Sequence, residues 1–227
     1  MIITIDGPSG VGKSTLARQL AERLHFSFLN SGSMYRCLAY LFQKKGLSPG
    51  EQFLDGLSFE YSVEERVGES SHYFLNGEEV TEQIYQPELS SLASELAEQL
   101  SIRSFLTDKQ REWAQGKELI AEGRDMGSVV FPQAEVKIFL DAGSKERMER
   151  RKRQCRELSM EQESGDQMKK RDRRDREREH APLCIPAGSI YIDTSEMNRK
   201  EVFDKLYQEE ILSRYPLLKL RTEKISS

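Results

Sequence analysis

Along this chain, short apolar runs alternate with longer stretches in which apolar residues return every three or four positions. Ile2-Ile3-Thr4-Ile5 is a β-branched run that reads as a buried strand. Leu16, Ala17, Leu20, Ala21 and Leu24 then share one helix face across 15–24. Phe26-Ser27-Phe28-Leu29 gives a second strand, followed by a helix over 34–42 with Met34, Leu38 and Leu41 on one face. The small hydroxyl residues of Asn30-Ser31-Gly32-Ser33 suit the start of that helix. The pattern changes between about 57 and 86. Phe59-Glu60-Tyr61-Ser62-Val63 alternates strictly, and His72-Tyr73-Phe74-Leu75 runs into Asn76-Gly77, a strong hairpin signal, with Glu78-Glu79-Val80-Thr81 extended beyond it. This predicts a small antiparallel sheet, which could serve stability alone or contact substrate.

Helical spacing returns over 87–115 through Leu89, Leu92, Ala93, Leu96, Ala97 and Leu100, and continues to Phe105 and Trp113. Leu119-Ile120-Ala121 is a third core strand that ends at Glu122-Gly123-Arg124-Asp125-Met126-Gly127, and Val136–Asp141 is a fourth. A highly charged helix runs from Ser144 to about Arg156. After a polar segment at 157–166, a second charged helix spans about Met168–His180. Ser189–Asp193 is a fifth strand, and Thr194-Ser195 open a terminal amphipathic helix, Asn198–Leu212. Strands separated by helices predict an α/β fold. It has a parallel sheet flanked by helices, with the ligand at the carboxyl ends of the strands.

A length of 227 residues suits one such core plus an inserted subdomain. Hydrophobic content of 37% and charged content of 32% indicate a soluble globular protein. No apolar stretch approaches the roughly 20 residues that span a bilayer, and no signal-like segment precedes the first strand, so a cytoplasmic location without membrane contact is expected. Three scattered cysteines, Cys37, Cys155 and Cys184, lack any C-x-x-C pair and read as reduced thiols. The net charge is −4, but residues 145–178 hold fourteen Lys or Arg against nine Asp or Glu, leaving −9 for the remainder. An acidic body with one basic segment does not fit a general nucleic-acid binder. It fits positive charge gathered over a small anionic site.

The chemistry starts directly after the first strand. Gly7, Pro8, Ser9, Gly10, Val11, Gly12, Lys13 and Ser14 match G-x-x-x-x-G-K-[ST], with a strand before them and, from Thr15, a helix after them. In that setting backbone N–H groups and a helix start cradle a polyphosphate, Lys13 reaches the β- and γ-phosphates, and the Ser14 hydroxyl helps to hold Mg²⁺. Other strand ends bring polar groups to the same edge of the sheet: Ser31 and Arg36, then Glu122, Arg124 and Asp125, then Asp141. Arg147, Arg150 and Arg151 share a helix face, as do Arg171, Asp175 and Arg178. A mixed-charge helix is ordinarily a solvated face. Beside a phosphate loop it reads instead as a flap closing guanidinium forks onto transferring phosphates, though not with every arginine.

ITIDGPSGVGKST (3–15), NSGSMYR (30–36), EGRDMGSVVFP (122–132), VKIFLDAGSKERMERR (136–151) and KKRDRRDREREHAPL (169–183) together resemble the bacterial cytidylate kinases. The resemblance covers essentially the whole chain and implies transfer of the γ-phosphoryl group of ATP, with Mg²⁺, to CMP or dCMP by a monomer. It assigns Lys13, Arg124, Arg171 and Arg178 to catalysis, and the loop from Gly7 to Thr15 together with Arg151 to ATP. Ser31, Arg36, Arg124 and Arg178 hold the acceptor phosphate on this basis. Ser94, Arg103 and Asp125 read the cytosine edge, Arg171 and Asp175 contact the acceptor nucleotide, and Asp175 lies at the sugar hydroxyls. The implied domains are a P-loop core (1–30, 116–150 and 181–227), a monophosphate-binding domain (31–115, with the insert at about 57–86), and a lid with the arginine-rich helix (151–180). Two departures stand out: Glu122 and Asn30 replace aspartates common in the family, which bears on any Mg²⁺-water role of those carboxylates. Other readings are a uridylate- or shikimate-type kinase, or a nucleic-acid-binding P-loop ATPase using 145–178 as its stripe; GTPase-type N-K-x-D is absent.

Overall fold

Five of the apolar runs assemble into one parallel sheet in the computed structural model, which describes residues 1–48, 54, 56–64, 71–157, 165–216 and 218. In chain order the first elements are β1 (Ile2–Asp6), α1 (Lys13–Leu24), β2 (Ser27–Asn30) and α2 (Ser31–Lys45). Next come β3 (Tyr61–Glu64), β4 (His72–Leu75), β5 (Glu78–Glu79), α3 (Pro87–Leu96) and α4 (Leu100–Ala114). The remainder is β6 (Leu119–Gly123), β7 (Val136–Asp141), α5 (Ser144–Glu157), α6 (Gly165–Glu177), β8 (Ile190–Asp193) and α7 (Arg199–Asp204). These elements divide between two compact units, one made of Met1–Asn30, Gln110–Arg151 and Ala181–Ser227, the other of Ser31–Lys109 and Lys152–His180.

In the first unit the sheet order is β2-β6-β1-β7-β8, all parallel. β1 lies at the centre, with Ile3 opposite Ile120 on one side and Val136 on the other. Central parallel strands are covered on both faces, so their side chains read as a continuous apolar run. Ile3, Ile5, Ile120, Ile138 and Leu140 are accordingly fully buried. The predicted stripe of α1 faces this core through Leu16, Ala17, Leu20, Ala21 and Leu24. Five parallel strands thus bring five carboxyl ends to one edge, where the loops after β1 and β6 emerge.

The second unit holds α2, the antiparallel sheet β3-β4-β5, α3, most of α4 and α6. Asn76 and Gly77 take φ of 51° and 80°, the conformation of a tight hairpin turn between β4 and β5. α3 packs against both α2 and α6. Residues 65–70 of the predicted insert and 158–164 of the predicted lid lie outside the described residues. Among the described residues no helix is long and apolar enough to cross a membrane.

Three expectations need correction. β2 passes straight into α2, which starts three residues before the predicted 34–42 span, so Ser31–Ser33 form its first turn. β6 runs two residues further than its apolar core and takes in Glu122, which is 3% exposed and hence no solvated strand boundary. The terminal helix is opened by Asn198, whose side chain accepts from Lys200 and Glu201 N–H in a capping box, and not by Thr194-Ser195. The hydroxyls of those two residues are committed elsewhere: Thr194 Oγ1 bonds the Asp141 carbonyl, and Ser195 Oγ accepts from Gly143 N–H. Beyond α7 the chain continues as a π-helix over Lys205–Leu212.

Candidate active site

The phosphate loop begins where β1 ends. Gly7 has φ of 148°, and a Cβ there would stand 2.1 Å from the Leu140 carbonyl oxygen, so no other residue fits without moving β7. Gly12, at φ of 96°, precedes α1 without any side-chain cap, and no acidic residue occupies the first turn. The first N–H groups of α1, with the positive end of the helix dipole behind them, suit an anion. Lys13 is 6% exposed and donates from Nζ to the Pro8 carbonyl at 2.7 Å, which folds its ammonium over the loop. Ser14 and Thr15 follow in the first turn, half-buried.

Two buried charged groups hold this region in place, and one of them, Asp6, has no role that sequence motifs reveal. The Asp6 carboxylate, at the end of β1, accepts N–H bonds from Met126 at 2.8 Å and Gly127 at 2.7 Å. It thereby ties the strand before the phosphate loop to the turn that follows Arg124 and Asp125. Burial pushes the Asp6 carboxyl from an ordinary 3.8 up to about 7, against the pull of the two backbone N–H bonds, which favour the ionised form. From α4, Arg111 donates to the carbonyls of Val129 and Val130, fixing the far side of the same turn.

The second group is Arg147. From the first turns of α5 it donates from Nη1 to the Ser9 carbonyl at 3.0 Å and from Nε to Ala142 at 3.1 Å. Arg150 binds Thr194 Oγ1 at 2.8 Å and the Thr194 and Met197 carbonyls. The expectation that this face closes onto transferring phosphates therefore needs correction for both residues. Acceptors of the first unit already use their forks, buried backbone carbonyls for Arg147 and the Thr194 hydroxyl with two carbonyls for Arg150, and Arg147 acts on the phosphate loop by holding it. Arg151 is the last residue of this stretch in the first unit.

The remaining predicted residues divide between the units. Arg124 and Asp125 belong with the phosphate loop, with Arg124 bonding the Gly123 carbonyl at 3.2 Å and Asp125 only 4% exposed. Ser31, Arg36, Ser94, Arg103, Arg171, Asp175 and Arg178 all belong to the second unit. There Ser31 and Arg36 stand on α2, Ser94 on the neighbouring α3, and Arg171 and Asp175 on α6, which packs against α3. Arg178 lies one residue past α6 and pairs with Asp175 at 3.7 Å. Arg103 is 4% exposed, donates to the Ala97 carbonyl at 2.9 Å and lies over the Tyr35 ring. Ser94 Oγ and Arg36 Nε are buried yet have no hydrogen-bond partner among the described residues. Such atoms are costly unless something else satisfies them. Glu122 Oε1, in the first unit, is in the same position.

A parallel sheet with a phosphate loop after its central strand, a lysine folded over that loop and a buried arginine holding it marks a P-loop nucleotide-binding protein. Comparison with known proteins narrows this class. The family model for cytidylate kinase matches residues 3–211. A cytidylate kinase of Chlamydia pneumoniae is 42% identical over 210 residues, covering 91% of this chain and 96% of its own length. One from Thermodesulfovibrio yellowstonii is 39% identical over 213 residues, covering 88% and 93%. Among solved structures, a shikimate kinase from Bacteroides thetaiotaomicron matches with a TM-score of 0.47 at 13% identity, covering 94% of this chain and 98% of its own. Likeness at that level says nothing of activity. The chain belongs to the cytidylate kinase family, and is a nucleoside monophosphate kinase that transfers a phosphoryl group to CMP or dCMP.

Proposed function

We propose that the donor lies on the phosphate loop and that the acceptor takes its ligands from the α2, α3 and α6 helices together with Arg124 and Asp125. The observation that carries the acceptor half is the pair of buried, unpartnered atoms, Ser94 Oγ and Arg36 Nε, on adjacent helices of one unit. In this reading ATP lies along Gly7–Thr15 and meets Arg151, while Ser31, Arg36, Arg124 and Arg178 grip the acceptor phosphate. Asp125, Ser94 and Arg103 face the cytosine edge, and Arg171 and Asp175 contact the acceptor, Asp175 at its sugar. The acceptor is already an anion, so no general base is needed. Lys13, Arg124, Arg171 and Arg178 instead neutralise charge spread over the transferred group, and binding supplies its alignment.

Mg²⁺ fits the residues present. Ser14 and the buried Glu122 offer oxygen ligands of the hard type, and the Glu122 Oε1 left without a protein partner suits a hydrated cation. Among the described residues no cluster of three or more His, Cys, Asp and Glu would hold a metal without substrate. That agrees with an ion carried in mainly by phosphates and water. When bound, it would offset the charge of the β- and γ-phosphate oxygens. The same reading takes the enzyme to be a cytoplasmic monomer with no nucleic-acid partner, as the scattered thiols and the locally confined basic charge suggest.

Base reading is the part of this assignment most open to test. A carboxylate at Asp125 suits the exocyclic amino group that uracil lacks. Asp125→Ala is expected to lower kcat/KM for CMP more than for UMP, by about 1–3 kcal/mol, the worth of a buried hydrogen bond. Steady-state rates with both acceptors read this out, and equal losses would remove Asp125 from base recognition.

A further inference from the structure

The inserted three-stranded sheet has no part in the chemistry described so far, yet its tyrosines lead to an arginine that does. Tyr61 on β3 and Tyr73 on β4 lie on the buried face of that sheet, where Tyr61 is 9% and Tyr73 1% exposed. Their rings stand 6.3 Å apart, and the Tyr73 ring meets Tyr85 edge-on at 6.0 Å. Tyr85 closes the short 3₁₀ turn Gln83–Tyr85 ahead of α3. Its hydroxyl donates to that of Tyr73 at 3.4 Å. The Arg36 guanidinium sits 4.7 Å over the Tyr85 ring. At the other end of the row, the Tyr61 hydroxyl is within 2.7 Å of Ser33 Oγ.

Ser33 and Arg36 are one turn apart on α2, so the row of tyrosines touches that helix twice, through a hydroxyl at one end and a ring face at the other. Burial pushes the Tyr61 and Tyr73 hydroxyls well above their usual range, so both stay neutral across the working pH. The arrangement leaves Arg36 Nε buried without a hydrogen-bond partner among the described residues. A guanidinium held over an aromatic face by its charge can leave its N–H groups directed past the ring edge. The ring thus orients the fork and does not consume its donors. The alternative, a carboxylate partner, would both hold the arginine and occupy the donors that a phosphate needs.

We infer that the inserted sheet is a positioning device for the acceptor-phosphate grip, acting through the Tyr61–Tyr73–Tyr85 row to hold Arg36 against the Tyr85 ring. Tyr85 is the positioning residue. It needs no contact with substrate, and the sheet fixes where it stands. This rests on the reading of Arg36 as a ligand of the acceptor phosphate, and it gives the insert a function beyond stability.

The test compares Tyr85→Leu, Tyr85→Phe and Arg36→Ala by steady-state kinetics in both substrates, with thermal midpoints as a check on folding. Tyr85→Leu keeps an apolar side chain but no ring face. It is expected to raise KM for CMP roughly fivefold to thirtyfold, the range of a partly desolvated cation–π contact. KM for ATP stays within about twofold of the wild type, because the donor loop lies in the other unit. Tyr85→Phe retains the ring face and recovers most of the affinity. Arg36→Ala raises KM for CMP at least as far as Tyr85→Leu. If Arg36→Ala raises KM for CMP and Tyr85→Leu does not, the positioning role is overturned while the acceptor reading stands. If Arg36→Ala leaves KM for CMP unchanged, the acceptor reading of Arg36 falls, and the inference with it. Parallel rises in both KM values for Tyr85→Leu would mark a loss of fold and also overturn the inference.

Discussion

Asp6 shows how one carboxylate can join two parts of a site that lie far apart in sequence. Its two oxygens hold the Met126 and Gly127 N–H groups, 120 and 121 positions away, beside the turn that presents Arg124 and Asp125. Burial raises its carboxyl from 3.8 to about 7, so the folded chain holds this proton more tightly than the unfolded chain does. Its contribution to stability is complete below pH 3.8 and is lost as pH rises through about 7. Urea denaturation of the nucleotide-free enzyme is therefore expected to show stability falling by several kcal/mol between pH 4 and 8, at about 1.4 kcal/mol for each pH step in that window. In Asp6→Asn that slope disappears. Parallel wild-type and Asp6→Asn curves over this window would show that Asp6 does not titrate there. Arg124, by contrast, could be singled out from the residues around it, because an arginine flanked by two carboxylates beside a glycine at a strand end is an unusual grouping, whereas the role of Asp125 came only from the family resemblance.

At the scale of elements, what the sequence made legible was whatever contiguous residues build. The phosphate cradle is eight residues in a row, and the hairpin turn is a dipeptide whose positive φ values only certain residues accept. The core strands and the stripe of α1 follow from period alone. What stayed hidden depends on partners remote in the chain. Arg147 reaches the Ser9 carbonyl across 138 positions, and nothing local separates it from Arg151 in the same run. Thr194 and Ser195 look like helix caps until the β7–α5 corner claims their hydroxyls. The same logic predicts how α5 acts on the loop. Arg147→Ala removes two charged donors from backbone carbonyls, each worth about 1.5–3 kcal/mol. It is expected to raise KM for ATP by tenfold or more and to leave KM for CMP nearly unchanged, with Arg147→Lys recovering only part of the loss. An unchanged KM for ATP would mean that the loop keeps its shape without the arginine.

For the whole molecule, the division of residues between units matters more than any single contact. Catalysis by a phosphoryl transferase of this kind rests on alignment and on charge placed where it develops. The phosphate loop, Arg124 and Asp125 belong to one unit, and Ser31, Arg36, Ser94, Arg103, Arg171, Asp175 and Arg178 to the other. The basic excess over residues 145–178, read from the sequence as charge gathered for a small anion, is divided too, with part of it holding the first unit together and part belonging to the second, where Arg178 pairs with Asp175. The most direct test of this account is ADP release from ATP and Mg²⁺, followed with CMP, dCMP, UMP, AMP and GMP in turn. The expected result is a kcat/KM for CMP and dCMP about tenfold or more above UMP, as a site built to bind an exocyclic amino group requires, and above AMP and GMP, whose two-ring bases present their amino groups elsewhere. Efficient phosphorylation of another acceptor while CMP and dCMP remain untouched would contradict it.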